Sequence, residues 1–522
     1  MPKKPCTALT LLFASVLAGL FILQFGTFID HATPSLIDDH DILYPLGDKS
    51  TATLQEIWTD LKNTDEYQEL ATKGAATRFR PAFYVFKSIQ TYLFGSNIRL
   101  WYIANFLLYL STTTLIFSLV LRTFGIPSAL LFAAFYLGHK SWADIFPRLG
   151  PVEIECIMVG TPLIWLLWRW IETGRTSALY LAIPTALLFG AMKEADSPLM
   201  IAIGGLLVAC GFLSGMRRMV AAGAVLLVTG AIVFVVMLLI TAGAASSGMV
   251  SPWGPLQSYW HHRRHDSLAW LVLIPIPVLA AVPYVRGFDQ LKISRGELAA
   301  LVLASVSVEI LRLTLYYISH SMTYDGANDA IGMRYGYPLA LMQALVAAIV
   351  FGRLAKAGDR TIAPRTGGIA IACCLAVLII NKGLFSPNVL KSRDWWLQFN
   401  TDTDNAVSEA ARLLLEARKA DKNPVLIASG PVLEWEPKLS LIMFLKRRMP
   451  DTVVYFDPGE KSVNPEYYGK LSVKWGGTPM SPELRASLSA RGCVNVHVDD
   501  REYANPDCRV LNITTIANRP AP

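Results

Sequence analysis

Three carboxylates close to the first long apolar segment are the residues whose types and spacing best suit chemistry. Asp38, Asp39 and Asp41 follow the apolar run 9–28. Carboxylates are costly near hydrocarbon, so acidic side chains at a membrane surface indicate a functional role. One of Asp38 and Asp39 could deprotonate a hydroxyl group while the other orients it or holds a cation. The alternative is that these residues only cap the next helix or end the membrane segment.

Basic residues in two later loops could bind a phosphate, because a fixed cation complements its charge. Arg148 lies in the loop 146–155, which also contains two glutamates. Lys193 is followed directly by Glu194, and the glutamate could hold the lysine in place. For this second loop, the alternative is an interfacial ion pair that merely ends a helix.

Two further stretches combine basic and aromatic side chains, and both are candidates for binding a lipid phosphate or a sugar. Their candidate residues are His261, His262, Arg263, Arg264, Arg334 and Tyr335. Three histidines in the first stretch could suggest zinc, but two of them are adjacent and adjacent side chains rarely reach one ion. A solvated outer loop is the alternative there. In the second stretch, an arginine at the start of a span can clamp a phosphate through two hydrogen bonds.

The composition is typical of a membrane protein with many spans. The chain has 522 residues, of which 53% are hydrophobic and only 17% charged, and its mean hydropathy is +0.39. Soluble domains are nearer to a quarter charged. About eleven apolar segments are long enough to cross a bilayer. They lie near residues 8–29, 99–121, 126–142, 152–170, 177–192, 198–214, 219–242, 268–285, 297–319, 336–352 and 366–382.

The distribution of Lys and Arg predicts how these spans are oriented. Basic residues are more frequent in the loops on the same side as Lys3 and Lys4, which favours a cytoplasmic N-terminus. An odd number of spans then places the acidic loop and the C-terminal region outside, in the periplasm if this multi-pass protein lies in a bacterial inner (plasma) membrane. The net charge of +7 follows from this bias, so we expect membrane lipids around the protein and no nucleic-acid partner.

The sequence divides into two predicted domains. Residues 1–382 form a transmembrane domain whose outer loop, 30–98, contains interfacial helices, because aromatic and basic residues mix there before the second span. Residues 383–522 are more polar and alternate helical with strand patterns, which predicts a small extracytoplasmic α/β domain. We expect an amphipathic helix over 402–422 and strands over 424–430, 452–456 and 493–498. Cys493 and Cys508 could pair if this domain lies outside the cytoplasm.

Four features together resemble the GT-C superfamily of membrane glycosyltransferases, especially its protein O-mannosyltransferase-like branch and related bacterial enzymes. They are the acidic pair Asp38-Asp39, the Arg-x-Arg-Pro stretch at 78–81, the Pro/Arg/Glu loop at 147–155 and the pair Lys193-Glu194. The resemblance covers roughly residues 1–200. The chain departs from that branch by an α/β region in place of tetratricopeptide repeats, and by Asp-Asp where the family commonly has Asp-Glu.

This resemblance implies inverting transfer of a sugar from a polyprenyl-phosphate donor. Asp38 would be the general base with Asp39 as its partner, and outer basic residues, including Arg80, would hold the lipid phosphate as it leaves. The acceptor would be a glycan, a lipid or a protein. No cofactor is firmly implied, and the use of a divalent cation is left open.

Three other classes of protein share part of the pattern. An O-antigen polymerase or ligase is also polytopic with outer arginines, but such enzymes usually depend on a large late periplasmic loop, whereas the acids here lie in an early loop. A transporter or flippase of lipid-linked sugars usually has internal repeats, and none is evident in this sequence. The third class is a catalytically inactive scaffold whose C-terminal region binds a partner.

Overall fold

The computed structural model describes most of the first 241 residues and parts of the remainder. The described residues are 3–36, 39, 46, 49–63, 79–139, 141–241, 294–318, 337–357, 385–419, 425–429, 440–441, 444–445, 447–449, 454–457, 474–475, 493–498 and 508–513. Two of the predicted spans, 268–285 and 366–382, lie outside these residues.

Most described residues are helical, and several helices begin and end at expected capping residues. The helices are α1 Lys3–His31, α2 Leu54–Asn63, α3 Pro81–Phe94, α4 Ile98–Phe124, α5 Ile126–Leu137, α6 Trp142–Ile145, α7 Glu153–Thr173, α8 Thr176–Gly190, α9 Asp196–Ser214, α10 Arg217–Thr241, α11 Arg295–Ile318, α12 Tyr337–Ala357 and α13 Pro387–Lys419. Pro81 begins α3, and the Asn97 side chain accepts a hydrogen bond from the Leu100 N–H at the start of α4. Glycines in the left-handed conformation end α7 and α9.

Five helices in the described part of the chain contain segments long and apolar enough to cross a membrane: α1, α4, α7, α9 and α10. Shorter apolar helices are α5, α8 and the segment Ala340–Arg353 of α12. The chain is therefore a helical protein with the features of a membrane-embedded one, as the composition predicts. Helix α11 coincides with the predicted span 297–319. Its sequence includes the charged residues Glu309 and Arg312, and it is not one of the five helices named above.

The third predicted span, 126–142, is too long at its C-terminal end. Helix α5 ends at Leu137, where the Gly138 N–H bonds to the Ala134 carbonyl at 2.7 Å. The ring of His139 then accepts a hydrogen bond from the Ser141 N–H at 3.2 Å. The separate short helix α6 begins at Trp142.

The turn between α3 and α4 occurs at Gly95-Ser96-Asn97. Gly95 has a φ of 52°, and a Cβ atom there would collide with the Ser50 carbonyl oxygen. Only glycine fits this conformation and this close approach without strain. The Ser96 N–H also donates to the Ser50 carbonyl at 2.9 Å, so the turn holds the chain at Ser50 against the start of α4.

An aromatic core joins α1, α4, α5, α6 and α12. Trp142 of α6 is fully buried, and its ring lies within 5.2–5.9 Å of the rings of Phe21, Tyr109, Tyr136 and Tyr337. All four contacts are edge-on, the geometry that aromatic quadrupoles favour. The Trp142 indole N–H donates to the Tyr136 carbonyl at 2.9 Å. This core fixes the loop after α6, which contains Arg148.

A parallel sheet lies in the C-terminal part of the chain. Its strands are β1 Val425–Ser429, β2 Val454–Asp457, β3 Lys474–Trp475, β4 Cys493–Val498 and β5 Cys508–Ile513, in the order β3-β2-β1-β4-β5. The three predicted strands coincide with β1, β2 and β4, and the sequence missed β3 and β5. Cys493 is disulfide-bonded, and the register of β4 with β5 places Cys508 directly opposite it.

Helix α13 connects the helical bundle with the sheet. Near its start, Trp396 and Phe399 are buried in the same core as α1 and α4. Near its end, Ala410 and Leu414 are buried on the face that the amphipathic pattern predicts. The helix contacts α6 and α1 of the bundle and β1, β4 and β5 of the sheet. The sequence predicts only the second half of this helix.

Candidate functional site

Asp39 lies in the interior and holds two separate segments of the chain together. Its side chain is fully buried. One carboxylate oxygen accepts the backbone N–H groups of Leu149 and Gly150 at 2.7 and 2.8 Å, and the other accepts that of Ser35 at 2.7 Å. A carboxylate engaged by three N–H groups is stabilised in its charged form and is a weak base. This geometry suits Asp39 to positioning the loop that carries Asp38.

Several of the sequence-predicted site residues lie outside the described residues. These are Asp38, His261, His262, Arg263, Arg264, Arg334 and Tyr335. Their assigned roles stay predictions. Ser35 and Asp39, which flank Asp38 in sequence, are joined by the hydrogen bond from the Ser35 N–H to the Asp39 carboxylate, and that carboxylate also accepts the Leu149 N–H.

Arg148 is also buried, with no exposed surface. Its guanidinium donates to the Asp144 carboxylate at 2.5 Å and lies 4.8 Å from the centre of the Trp396 ring. Such a cation–π contact is strongest where water is excluded. Arg148 therefore attaches α13 to the bundle, a structural role that the sequence analysis did not consider.

The Lys87–Glu155 ion pair completes this buried region. The Lys87 ammonium lies 2.9 Å from the Glu155 carboxylate, and the two side chains are 1% and 0% exposed. Lys87 also donates to the Leu149 carbonyl and lies 5.6 Å from the ring centres of Phe83 and Trp101. We refer to Asp39, Lys87, Asp144, Arg148 and Glu155 as the sealed cluster, because every member is buried against the loop 147–150 or beside it.

A second group of charges surrounds the loop between α8 and α9. Lys193 pairs with Glu153 at 2.5 Å, with side chains 15% and 4% exposed. Arg80 donates through Nε to both oxygens of Glu194 at 3.0 Å, and the Cys156 thiol donates to Asp196 at 3.2 Å. We refer to Arg80, Glu153, Lys193, Glu194 and Asp196 as the rim cluster.

The pairing within the rim cluster differs from the expectation that Glu194 fixes its neighbour Lys193. Glu194 instead hydrogen-bonds to Arg80, more than a hundred residues earlier, and also accepts the Phe79 N–H at 3.3 Å. Burial raises the pKa of the Glu194 carboxyl, but the charge and hydrogen bond of Arg80 and the charge of Lys193 outweigh it, so that the pKa lies below its ordinary value. Glu194 is therefore ionised at neutral pH and holds Arg80 in place.

Three members of the rim cluster, Glu153, Lys193 and Asp196, line a cavity of about 620 Å³ between α7, α9, α11 and α12. Its walls are mainly apolar. Representative lining residues are Ile157, Leu163, Ile203, Leu341 and Leu345. At the opposite end the lining includes Glu172, Glu297 and Arg353, and the last two form an ion pair.

The cavity extends over almost the whole length of α7. It is lined by Glu153 at the first residue of that helix and by Glu172 one residue before its end. At 1.5 Å per residue this separation is about 28 Å, close to the thickness of bilayer hydrocarbon. A long, mainly apolar cavity with charged residues at each end suits a lipid chain that carries a polar head.

The described basic residues that the sequence assigns to phosphate binding all have carboxylate partners: Asp144 for Arg148, Glu153 for Lys193 and Glu194 for Arg80. Of the three pairs, only Lys193 and Glu153 line the cavity. An anion that enters there would meet a cation already held in place, but would also approach Glu153. In the described part of the chain, no group of three or more His, Cys, Asp or Glu residues is arranged to hold a metal ion.

Comparison with models of known protein families and with curated proteins gives no match to this chain.

Proposed function

We propose that the protein transfers a sugar from a polyprenyl-phosphate donor to an acceptor at the extracytoplasmic face of the membrane, as a glycosyltransferase of the GT-C type. The observation that carries this proposal is the cavity beside α7. It is apolar over about the thickness of a bilayer, and Lys193 lies at one end. An isoprenoid chain needs such an apolar site, and its phosphate needs a cation where the site opens.

The rim cluster would hold the donor phosphate. Lys193 is 15% exposed and lines the cavity, whereas Arg80 lies beside it in the adjacent ion pair with Glu194. Fixed cations in a poorly hydrated site stabilise charge that develops on a leaving group without solvent reorganisation. Both lysine and arginine are held by carboxylates, so they are oriented before the donor binds.

The chemistry would be a single inverting displacement. The acceptor hydroxyl oxygen attacks the anomeric carbon as the bond from that carbon to the phosphate oxygen breaks. The acceptor proton passes to the Asp38 carboxylate, and the electron pair leaves with polyprenyl phosphate. Asp39, fixed by three backbone N–H groups, would position the Asp38 loop rather than accept the proton.

The proposed topology has the N-terminus in the cytoplasm of a bacterial inner membrane and a soluble α/β domain, 383–522, in the periplasm. The disulfide at Cys493 supports this orientation, because disulfides persist in oxidising compartments. The parallel sheet and the second half of α13, where Ala410 and Leu414 are buried, support a folded α/β region there. Some of the other predicted spans, including 268–285 and 366–382, would complete a bundle of about eleven helices.

The test uses the purified full-length chain in lipid nanodiscs with a panel of polyprenyl-phosphate sugars. We expect one donor to be consumed in the presence of acceptor, and Asp38→Asn to lower turnover about a hundred- to ten-thousand-fold while donor binding is retained. Lys193→Ala should weaken donor binding by about 2–5 kcal/mol. Lys391→Ala, an exposed lysine on α13, is the matched control and should bind the donor normally.

Failure to consume any donor, or near-normal turnover in Asp38→Asn, would contradict the enzymatic assignment. A flippase for lipid-linked sugars is the second candidate, because the cavity is lined by charged residues at both ends of α7. A flippase would move a labelled donor across a vesicle membrane without breaking its sugar–phosphate bond, so release of polyprenyl phosphate distinguishes the two functions.

A further inference from the structure

In the cavity beside α7, the end opposite the rim cluster is formed by polar side chains that hydrogen-bond to one another. Arg353 of α12 donates through Nε to the Glu297 carboxylate of α11 at 2.6 Å. Beside this pair, the Thr123 hydroxyl donates to the Glu172 carboxylate at 2.6 Å and accepts the Trp168 indole N–H at 3.1 Å. All five side chains line the cavity, and we refer to them as the polar floor.

The helices that wall the cavity come close together at this same end. Gly296 lies in the first turn of α11, and a Cβ atom there would collide with the carbonyl oxygen of Leu213, near the end of α9. Glycine therefore allows the start of α11 to approach the end of α9. The ion pair between Glu297 and Arg353 joins α11 to α12 at the same level. Protein therefore occupies the space between α9, α11 and α12 at this end of the cavity.

An isoprenoid chain gains nothing by displacing the polar floor. It offers no hydrogen bond, so contact with the floor would desolvate the charges of Glu297 and Arg353 without compensation. The walls above the floor are apolar and include Ile203, Leu341 and Leu345. A chain that ends above the floor is therefore favoured over one that reaches into it.

The distance from the rim cluster to the polar floor determines how much of a chain fits. Glu153 and Glu172, which line the two ends of the cavity, are about 28 Å apart along α7. An isoprene unit adds four carbon–carbon bonds of about 1.5 Å to a chain, so it extends the chain by about 5 Å. The cavity therefore accommodates about five units. A shorter chain leaves atoms of the wall without van der Waals contacts.

We propose that the protein recognises only about the first five isoprene units of its lipid donor, and that Glu297 and Arg353 set this limit. The remainder of a longer chain would leave between the helices, where contact with bilayer lipid is as favourable as contact with apolar side chains. This inference rests on the proposed function, because it takes a polyprenyl phosphate as the ligand of the cavity.

Competition among polyprenyl phosphates of three, five and eleven isoprene units tests the limit. The full-length protein is equilibrated with an equimolar mixture in nanodiscs, and native mass spectrometry measures which lipid is bound. We expect the five-unit chain to bind about tenfold more tightly than the three-unit chain, because it fills the cavity. The eleven-unit chain should bind within about twofold of the five-unit chain, because its additional units lie outside the cavity.

Two variants should move the limit in opposite directions. Glu297→Leu/Arg353→Leu makes the floor apolar, and an ion pair replaced by apolar residues usually leaves a protein folded. The eleven-unit chain should then bind about fivefold more tightly than the five-unit chain. Ala304→Phe fills the cavity about 10 Å from Glu297 along α11, so the five-unit chain should bind no more tightly than the three-unit chain. Glu409→Leu/Arg412→Leu, an ion pair of α13 outside the cavity, is the matched control and should leave the preferences unchanged.

A wild-type protein that binds the eleven-unit chain about fivefold more tightly than the five-unit chain would overturn the proposal. The same holds if Ala304→Phe leaves the preferences unchanged, and this variant decides the question if the double variant melts at a lower temperature than the wild type. Tight binding of all three chains without a limit would leave the proposed function standing. Absence of binding by every chain would contradict the donor site itself, and the limit with it.

Discussion

Two glutamates of α7, Glu153 and Glu155, each pair with a lysine from another part of the chain, but the two ion pairs differ in their surroundings. Lys87 pairs with Glu155, where both side chains are at most 1% exposed. Lys193 pairs with Glu153, which lies two residues before Glu155 on α7. This second pair lines the cavity beside α7. Residues two apart lie on opposite faces of a helix. One face of α7 therefore contributes to the sealed cluster and the other to the rim cluster. Position on the helix, not residue type, decides which ion pair is enclosed and which lines the cavity.

The largest effect should come from breaking the sealed pair. We expect Lys87→Met to destabilise the protein by about 3–5 kcal/mol, because Glu155 would remain buried without a cation. Lys193→Met should cost less, about 1–3 kcal/mol, since Glu153 borders the cavity whereas Glu155 has no exposed surface. Thermal unfolding in detergent measures both, and Lys87→Met/Glu155→Gln should recover part of the loss. Equal losses in the two single variants would show that the clusters do not differ as proposed.

A moderate effect should follow from altering Asp39 within the sealed cluster. Asn at this position keeps one acceptor oxygen but presents an N–H group to a backbone N–H, so at least one charge-assisted hydrogen bond is lost. We expect Asp39→Asn to lower stability by about 2 kcal/mol. The measurement is the melting temperature, with Asp38→Asn as the comparison that should affect turnover instead. Normal stability in Asp39→Asn would mean that these three hydrogen bonds do not stabilise the fold. It would then favour the sequence-based prediction that Asp39 takes part in catalysis.

The smallest effect should be a pH dependence that originates in the rim cluster. The folded pKa of Glu194 lies below its ordinary value of 4.5 because of Arg80, so the pair adds stability above that pH and loses it as the pH falls through the folded pKa. We expect the melting temperature to fall on acidification below about pH 4.5, and Glu194→Gln to reduce that slope. Glu416→Gln, an exposed carboxylate, should leave the slope as it is. A slope unaffected by Glu194→Gln would show that the pair contributes nothing to acid sensitivity.

Much of the fold could be predicted because local patterns determine it. Apolar length indicates the helices, Pro81 and Gly95 mark the ends of α3, and the amphipathic pattern gives the buried face at Ala410 and Leu414. The first half of α13 was missed because its buried residues include Trp396 and the polar Asn400, which together do not form a simple apolar stripe.

The site was only partly predictable, because its partners are distant in sequence. Lys193 was identified as a basic loop residue next to Glu194, but its partner is Glu153, which is 40 residues away. Arg80 and Glu194 are 114 residues apart. Asp39 binds backbone N–H groups 110 and 111 residues away, and a backbone N–H carries no residue identity that a pattern could reveal.

The continuity of α13 has a consequence for insertions and deletions. Its 33 residues form one uninterrupted helix of about 50 Å, in which Trp396 and Ala410 are both buried and which contacts both the bundle and the sheet. Inserting one residue between these positions would rotate one end by about 100° relative to the other. This helix therefore fixes the rotation of the sheet relative to the helical bundle. We expect it to tolerate insertions or deletions only of whole helical turns, whereas a flexible linker between domains would tolerate other lengths.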